Sequence, residues 1–526
     1  MGNFMGENTK NIVVWGVGDI AQATALQVLE NELAKGNGDI KLHFISRESE
    51  KAKNRGLGLA MDWSQGLTAK YAKNPKVNIP EILGIGEYAE GRHVVDKGED
   101  SEPEIGKLLA GSSIIITGNG VPRKGNQDRS EVLDANGPIP ERECTIIGKY
   151  APKEVPVLGF ANPADALLQI GARARKEGYE EAHPGEKFDD FSANMIFMST
   201  ELDSTRPSIF ASEELKKALE EKGISIDRKM ENMLNPANIS FFTGGEHGNN
   251  QVIDLQGASI VKDNTRAFIG KLVAKIDPDR GNKIIESASI SLEQFCKDNG
   301  VDYGKISEAI VDRSKKAGSE IIAQKEKSIT VGAAIHVAGL VDKILSNKES
   351  VVGASAVRQY PGDDREIASG GLVRVGNGKI IGEVPYPETI LENEKANAAM
   401  IKGRDATNVD VDNYWKNNIR YNAKNDLREF LGANDNLEVA KDSAVYSVQF
   451  PAGESVEVAR KFADDLAVVS DILPRRIKVI PDVKGTKVEI PAGVDHGNGK
   501  SADTTLDKIF ADANIEVQAK SNSRGR

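Results

Sequence analysis

Apolar and polar positions alternate along this chain in two different periods. Residues 11–15 form a short, almost wholly apolar run that reads as a buried strand. Leu26, Leu29 and Leu33 then recur at helical spacing. Residues 41–45, 113–117, 157–160, 194–198 and 239–242 are further strand-like runs, and residues 212–222 read as a charged helix. Residues 282–347 are helical in pattern, and Asn377-Gly378 between two apolar runs marks a two-residue hairpin. Residues 173–190 are densely charged and read as a solvated excursion. After residue 400 the chain turns polar and asparagine-rich, notably at 408–425. A strand at 444–450, a helix with Val458, Phe462, Leu466 and Val469 on one face, and strands at 477–480 and 487–490 follow. This last part reads as a small separate α+β unit. The pattern as a whole predicts an α/β chain, with residues 521–526 a disordered tail.

Length adds a division into domains, since 526 residues exceed what one core holds. With 39% hydrophobic and 28% charged residues the composition is that of a soluble globular protein, and no apolar run is long enough to span a bilayer. The net charge of −11 argues against nucleic acid as the partner. Two cysteines, Cys144 and Cys296, provide neither a disulfide framework nor a metal cluster and suit a reducing compartment. The first residues lack the features of a signal peptide, and Gly6 stands where a myristoylation site needs Ser or Thr, so the expected location is cytoplasmic.

Candidate chemistry begins at Gly16-Val17-Gly18-Asp19-Ile20-Ala21, a Gly-x-Gly-x-x-Ala turn between a strand and a helix. In that context Gly16 permits the turn, Gly18 lets backbone approach a pyrophosphate, and the helix start at Asp19 and Ile20 supplies N–H donors. An ordinary strand-to-helix turn would also suit the glycines. The fold expected from this motif is an N-terminal Rossmann-type doubly wound parallel sheet. The second strand ends in Ser46-Arg47 where an acid would read the ribose of NAD. A neutral and a cationic residue there favour NADP over NAD, unless Glu48 takes the acidic role. Gly118, Gly120 and Gly125 bracket Arg123, Lys124 and Arg129, as in a mobile lid carrying cations to an anionic substrate. Asn162 follows a strand's carboxyl end, where such sheets bind ligands. Asp203 and Arg206 stand three apart, on one face if helical. An Arg grips a carboxylate with two parallel hydrogen bonds, and an Asp orients a His; the same spacing also suits a plain surface ion pair. His247 sits in a glycine cradle, Gly245-Glu246-His247-Gly248, free to move protons near neutral pH.

In this order the segments resemble the malate and lactate dehydrogenase family over roughly residues 10–400, on Gly-Val-Pro-Arg-Lys with Asp128-Arg129, Asn162-Pro163, Leu-Asp-Ser-x-Arg at 202–206 and Gly-Glu-His-Gly. The resemblance implies that His247 is the general acid/base and that Asp203 holds its ring. It implies that Arg206 clamps the substrate carboxylate, that Arg129 polarises the carbonyl, and that Asn162 bonds near the same oxygen. Arg123 matches the lid position where malate-specific members carry Arg, so a 2-oxo/2-hydroxy dicarboxylate is the expected substrate. The implied organisation is a dinucleotide-binding domain at 1–165, a substrate domain of α+β type at 166–400, and an extension at 401–526. The expected assembly is a dimer or tetramer, with no membrane or nucleic-acid partner. Two alternatives stay open: a dehydrogenase for another 2-hydroxy acid such as lactate, and a non-catalytic scaffold. The chain departs from the pattern at Pro207, which predicts a distorted helix at Arg206 or one that starts there, and at Asn249-Asn250, where an acid and a small hydroxyl residue are usual.

Overall fold

The computed structural model describes residues 9–36, 40–47, 50–71, 74, 77–83, 93–122, 129–248, 250–274, 277–325, 329–433, 438–441, 445–450, 456–470, 477–482, 485–491 and 517–519. The segment 123–128 with Arg123, the positions Glu48 and Asn249, and the tail 521–526 expected to be disordered lie outside them.

Six short strands start the main sheet: β1 Lys10–Trp15, β2 Ile40–Arg47, β3 His93–Asp96, β4 Ile114–Thr117, β5 Val157–Gly159 and β6 Met195–Phe197. They lie parallel in the order β3-β2-β1-β4-β5-β6. Ile12, Val13, Val14, Ile114, Ile115 and Ile116 are all fully buried, as a sheet covered on both faces requires. The strand order reverses between β1 and β4, and the crevice at that reversal is where open α/β sheets take their ligands. The helix Asp19–Ala34 packs Ala21, Ala25, Val28, Leu29 and Leu33 onto the sheet.

The chain then divides its strands between two sheets. β7 Ile239–Ser240, β10 Ser259–Val261 and β11 Ser289–Ser291 form a small antiparallel sheet over a core with Leu215, Leu219, Phe295 and Ile310. β8 Thr243–Gly245 and β9 Gln251–Ile253 join the main sheet instead. Of the strand expected at 239–242 only residues 239–240 form one, β7, and a separate strand, β8, starts at Thr243 in the other sheet. The long strands β12 Ser350–Tyr360 and β13 Asp363–Gly376 continue the main sheet antiparallel from β6, and β14 Lys379–Val384 pairs with β13. Asn377 (φ 54°) and Gly378 (φ 73°) make the expected hairpin, both in the left-handed region that a two-residue loop of this hand needs.

Two sequence expectations are corrected. Residues 173–182 are no solvated excursion, because the helix Ala164–Ala182 includes them and Arg175 is fully buried, whereas residues 183–190 are largely exposed as expected. Both Nη groups of Arg175 donate to carbonyls, of Ala193, Asn194, Lys153 and Val155, which offsets the burial of the charge and ties down a turn in which Ser192, Ala193 and Asn194 all have positive φ. Pro207 does not distort the next helix either; Thr200–Glu221 runs unbroken past it. Proline lacks the N–H that would reach the carbonyl four residues back, at Asp203, and the Thr243 hydroxyl of β8 donates to that carbonyl at 3.4 Å.

The chain forms two compact units, Met1–Val411 and Asp412–Arg526. The helix Glu394–Ala433 passes through residue 400 without a break and covers the asparagine-rich stretch. In the second unit β15 Glu438–Lys441, β16 Val445–Gln449, β17 Lys478–Asp482, β18 Gly485–Pro491 and β19 Val517–Ala519 form one sheet in the order β17-β18-β16-β15-β19. Phe450 and Phe462 of the helix Val456–Ser470 meet edge to face within its core at 5.4 Å between ring centroids. Among the described residues no helix is long and apolar enough to cross a membrane, and no cluster of His, Cys, Asp and Glu could hold a metal ion.

Candidate active site

Two places in the first unit collect the candidate residues. At the switch point β1 ends in Gly16, whose φ of 125° is open to glycine and strained for other residues. A side chain there would also strike Asn119, at 2.7 Å from its Oδ1. Gly18 caps the helix Asp19–Ala34 without a side-chain cap bond, and a Cβ at Gly18 would meet nothing within 4 Å. The turn thus presents backbone N–H groups at a helix start with open space before them, which fits a pyrophosphate. Asp19 is exposed and Ile20 half-buried at this start. Gly118, at the end of β4, makes room for protein rather than ligand: a Cβ would fall 2.4 Å from the Phe160 ring and 3.1 Å from Ala21.

Ser46 and Arg47 part ways at the end of β2. Ser46 is fully buried and its Oγ lies 3.0 Å from His93 Nε2 on β3, whereas Arg47 is exposed. Nearby, Arg142 grips Asp96 at the end of β3 with both arms. Glu143 accepts a 2.6 Å hydrogen bond from Asn119, and burial pushes its carboxyl up to about 8. None of Asn119, Glu143, Asp96 and Arg142 carried a sequence signal, since Glu143, Asp96 and Arg142 are polar on elements whose apolar residues set the period and Asn119 lies in the loop after β4.

The second place is built around Asp203. It projects from the first turn of Thr200–Glu221 and is 4% exposed, and one oxygen accepts from Arg206 Nη1 at 2.9 Å. Its other oxygen lies 2.6 Å from His247 Nδ1. A carboxylate only accepts, so Nδ1 carries the proton and Nε2 is left for the cleft. Burial works against the imidazolium, but the charge and hydrogen bond of Asp203 outweigh it; Arg206 opposes and Asp165 adds. The His247 pKa is raised as a result. Gly245 (φ 83°) turns the chain out of β8 and into the His247 loop. The i,i+3 spacing read from the sequence is therefore realised as an ion pair, with His247 joined to it across 44 residues.

Asn162 is exposed at the end of β5, next to a cis bond to Pro163. Its carbonyl accepts from Asn136 Nδ2, and Asn136 also holds the backbone of Val121 through both its N–H and its C=O. Asn136 thereby links the start of the segment carrying Arg123 to the strand end carrying Asn162. Arg129 opens the helix Arg129–Asn136.

Comparison with known proteins bears on this arrangement. Residues 283–399 match the model of the lactate/malate dehydrogenase α/β C-terminal domain. The malate dehydrogenase of Methanothermobacter thermautotrophicus is 23% identical over 398 residues, 75% of this chain and 95% of that protein. These matches place the chain's resemblance with the lactate/malate dehydrogenase family. Three further malate dehydrogenases align over 54%, 57% and 61% of their own length. The fold is that of Cryptosporidium parvum malate dehydrogenase (TM-score 0.53, 19% identity, 77% of this chain and 99% of that one). A C. parvum lactate dehydrogenase solved with lactic acid and nicotinamide adenine dinucleotide gives a TM-score of 0.50 at 16% identity, over 77% of this chain and 98% of that one. The C-terminal region lies beyond the part shared with this dehydrogenase family.

Proposed function

We propose that this protein is a nicotinamide-dependent dehydrogenase of the lactate/malate dehydrogenase family, interconverting malate and oxaloacetate. The observation that carries the reading is Asp203, which holds His247 with one oxygen and Arg206 with the other. When bound along Gly16, Gly18, Asp19 and Ile20, the dinucleotide supplies the hydride donor or acceptor. The remaining work belongs to side chains of this chain. Arg206 has one arm on Asp203 and meets the substrate carboxylate with the rest of its planar fork. His247 gives a proton from Nε2 to the C2 oxygen in reduction and takes it back in oxidation, and Asp203 stabilises the imidazolium in both directions. Arg129 and Asn162 serve the same oxygen, and Arg123 serves the second carboxylate of a C4 acid. The lactate alternative draws support from the family at large, but a monocarboxylate leaves Arg123 without a partner.

NAD(H) is the family's cofactor. Arg47, exposed at the end of β2, supports acceptance of the 2′-phosphate of NADP as well; Ser46, turned towards His93, plays no part in that choice. The test is oxidation of NADH and of NADPH by the purified protein with oxaloacetate, with pyruvate and with no acceptor. Oxaloacetate turned over at least about tenfold faster than pyruvate is the expected result. Pyruvate preferred would transfer the reading to the lactate side of the family, and turnover of neither would remove it.

A further inference from the structure

Asp165 is fully buried in the first turn of the helix Ala164–Ala182, and the sequence assigns it no role. One of its oxygens, Oδ2, accepts the backbone N–H of His247 at 2.6 Å, and Oδ1 accepts the Ser355 hydroxyl from β12 at 2.6 Å. Ser355 Oγ lies 2.6 Å from Ser199 Oγ. A hydroxyl has one proton, so a Ser355 that donates to Asp165 must accept from Ser199. Ser199 precedes the helix that bears Asp203 and Arg206, and its carbonyl receives the Asp203 N–H at 2.9 Å. The bonds therefore close a ring: Asp165 to His247, His247 to Asp203, Asp203 to Ser199, Ser199 to Ser355, and Ser355 to Asp165.

We propose that Asp165 is a positioning residue of the site, fixing the His247 loop against Asp203 and setting a second buried anion beside it. The proposal rests on His247 as the proton carrier. The charged groups that bear on His247 are Asp203 and Arg206 from Thr200–Glu221 and Asp165 from Ala164–Ala182. Glu246, next in the chain, accepts from Asn250. His336 of the helix Val331–Ile344 senses Asp203 and Arg206, and burial lowers its pKa. Of these groups, Asp165 is the one that holds the backbone of His247 and adds a negative charge as well. A neutral amide separates the two roles. In Asp165→Asn the oxygen still accepts from His247 N–H, and the amide donates to Ser355, which turns its own proton to Ser199. Geometry survives and the charge goes.

The experiment is an NMR titration of the six histidines in the full-length protein, wild type and Asp165→Asn, with His247 assigned by its loss in His247→Asn. The expected result is that His247 titrates at lower pH in Asp165→Asn. In that variant the pH above which oxaloacetate reduction declines moves down with it. Asp165→Ala, which also removes the contacts, loses about tenfold in turnover at the optimum through misplacement of the imidazole. An unmoved His247 titration in folded Asp165→Asn overturns the proposal. Should that variant fail to fold, Ser355→Ala decides: it opens the ring but keeps the carboxylate. A several-fold loss of turnover with the His247 titration in place supports the positioning role, and unchanged turnover overturns it. A wild type that reduces no 2-oxo acid would remove the functional reading, while the titration would still decide whether Asp165 acts on His247.

Discussion

Two aspartates in this unit each hold an arginine, and they do opposite things with it. Asp203 is nearly buried, with one oxygen on Arg206 and the other on His247, and among the described residues neither partner is used up. Asp363, at the start of β13, takes Arg365 and Arg404 together. Arg404 is fully buried and spends its remaining hydrogens on the carbonyls of Arg358, Arg365 and Ile367, while Arg365 also reaches Asp405. The second cluster holds the buried Arg404 at all three of its nitrogens, as a structural joint should. The first, among the described residues, leaves Arg206 and His247 nitrogens without a further partner and includes the one type of side chain that titrates near neutrality. Spare hydrogen-bonding capacity, rather than the presence of an ion pair, separates the candidate site from the joint.

The largest effect that tests this contrast is at His247. Replacing it by Asn should lower turnover of the 2-oxo acid by about 10³-fold, since the proton then has no carrier, with dinucleotide affinity measured by fluorescence unchanged. Turnover within a few-fold of wild type would make the Asp203 cluster a second joint. Next, Arg206→Gln should raise the KM for oxaloacetate by about 10²-fold, because the amide cannot supply a charged fork. A KM that stays put would mean the carboxylate is gripped elsewhere.

At the second cluster, Arg404→Met should reduce unfolding free energy by about 3 kcal/mol in urea titrations, by leaving Asp363 and three carbonyls under-satisfied. Turnover per folded molecule should not change; a selective loss of turnover would mean the joint reaches the site. The same cluster has an acid signature. Asp363 is held well below the usual carboxylate range, chiefly by its hydrogen bond with Arg365, with Arg404 adding to it. Its contribution is therefore present above the ordinary Asp pKa and fades as pH falls towards the depressed value. His247, raised, behaves the other way: its contribution is full below the ordinary His pKa and is lost as pH rises through the folded value.

The glycine turn was legible because backbone geometry at Gly16 admits few alternatives, and β1 announces itself as a continuous apolar run. Asp203 and Arg206 were legible because helical spacing puts them on one face. Arg175 was misread as solvated because sequence counts its charge but not the four carbonyls waiting for it. Pro207 was misread as a disruption for a similar reason: the group that relieves it, Thr243, lies 36 residues on in another element. Asp165 and Asn136 went unassigned because a buried polar residue looks like any other polar residue until its partners are known.

By itself, then, the chain's order of residues determined the alternation of strand and helix, the glycine turn after β1, the hairpin at Asn377-Gly378 and the chemical types gathered for the candidate site. These follow from local rules: periodicity, backbone freedom and spacing within one element. Which oxygen of Asp203 meets which partner, that Ser46 turns inward while Arg47 faces out, and that Asp165 ties four segments together were decided only in the tertiary structure. Each depends on a distance between residues far apart in the chain. Such distances are set by how sheets and helices pack, not by any pattern along the sequence.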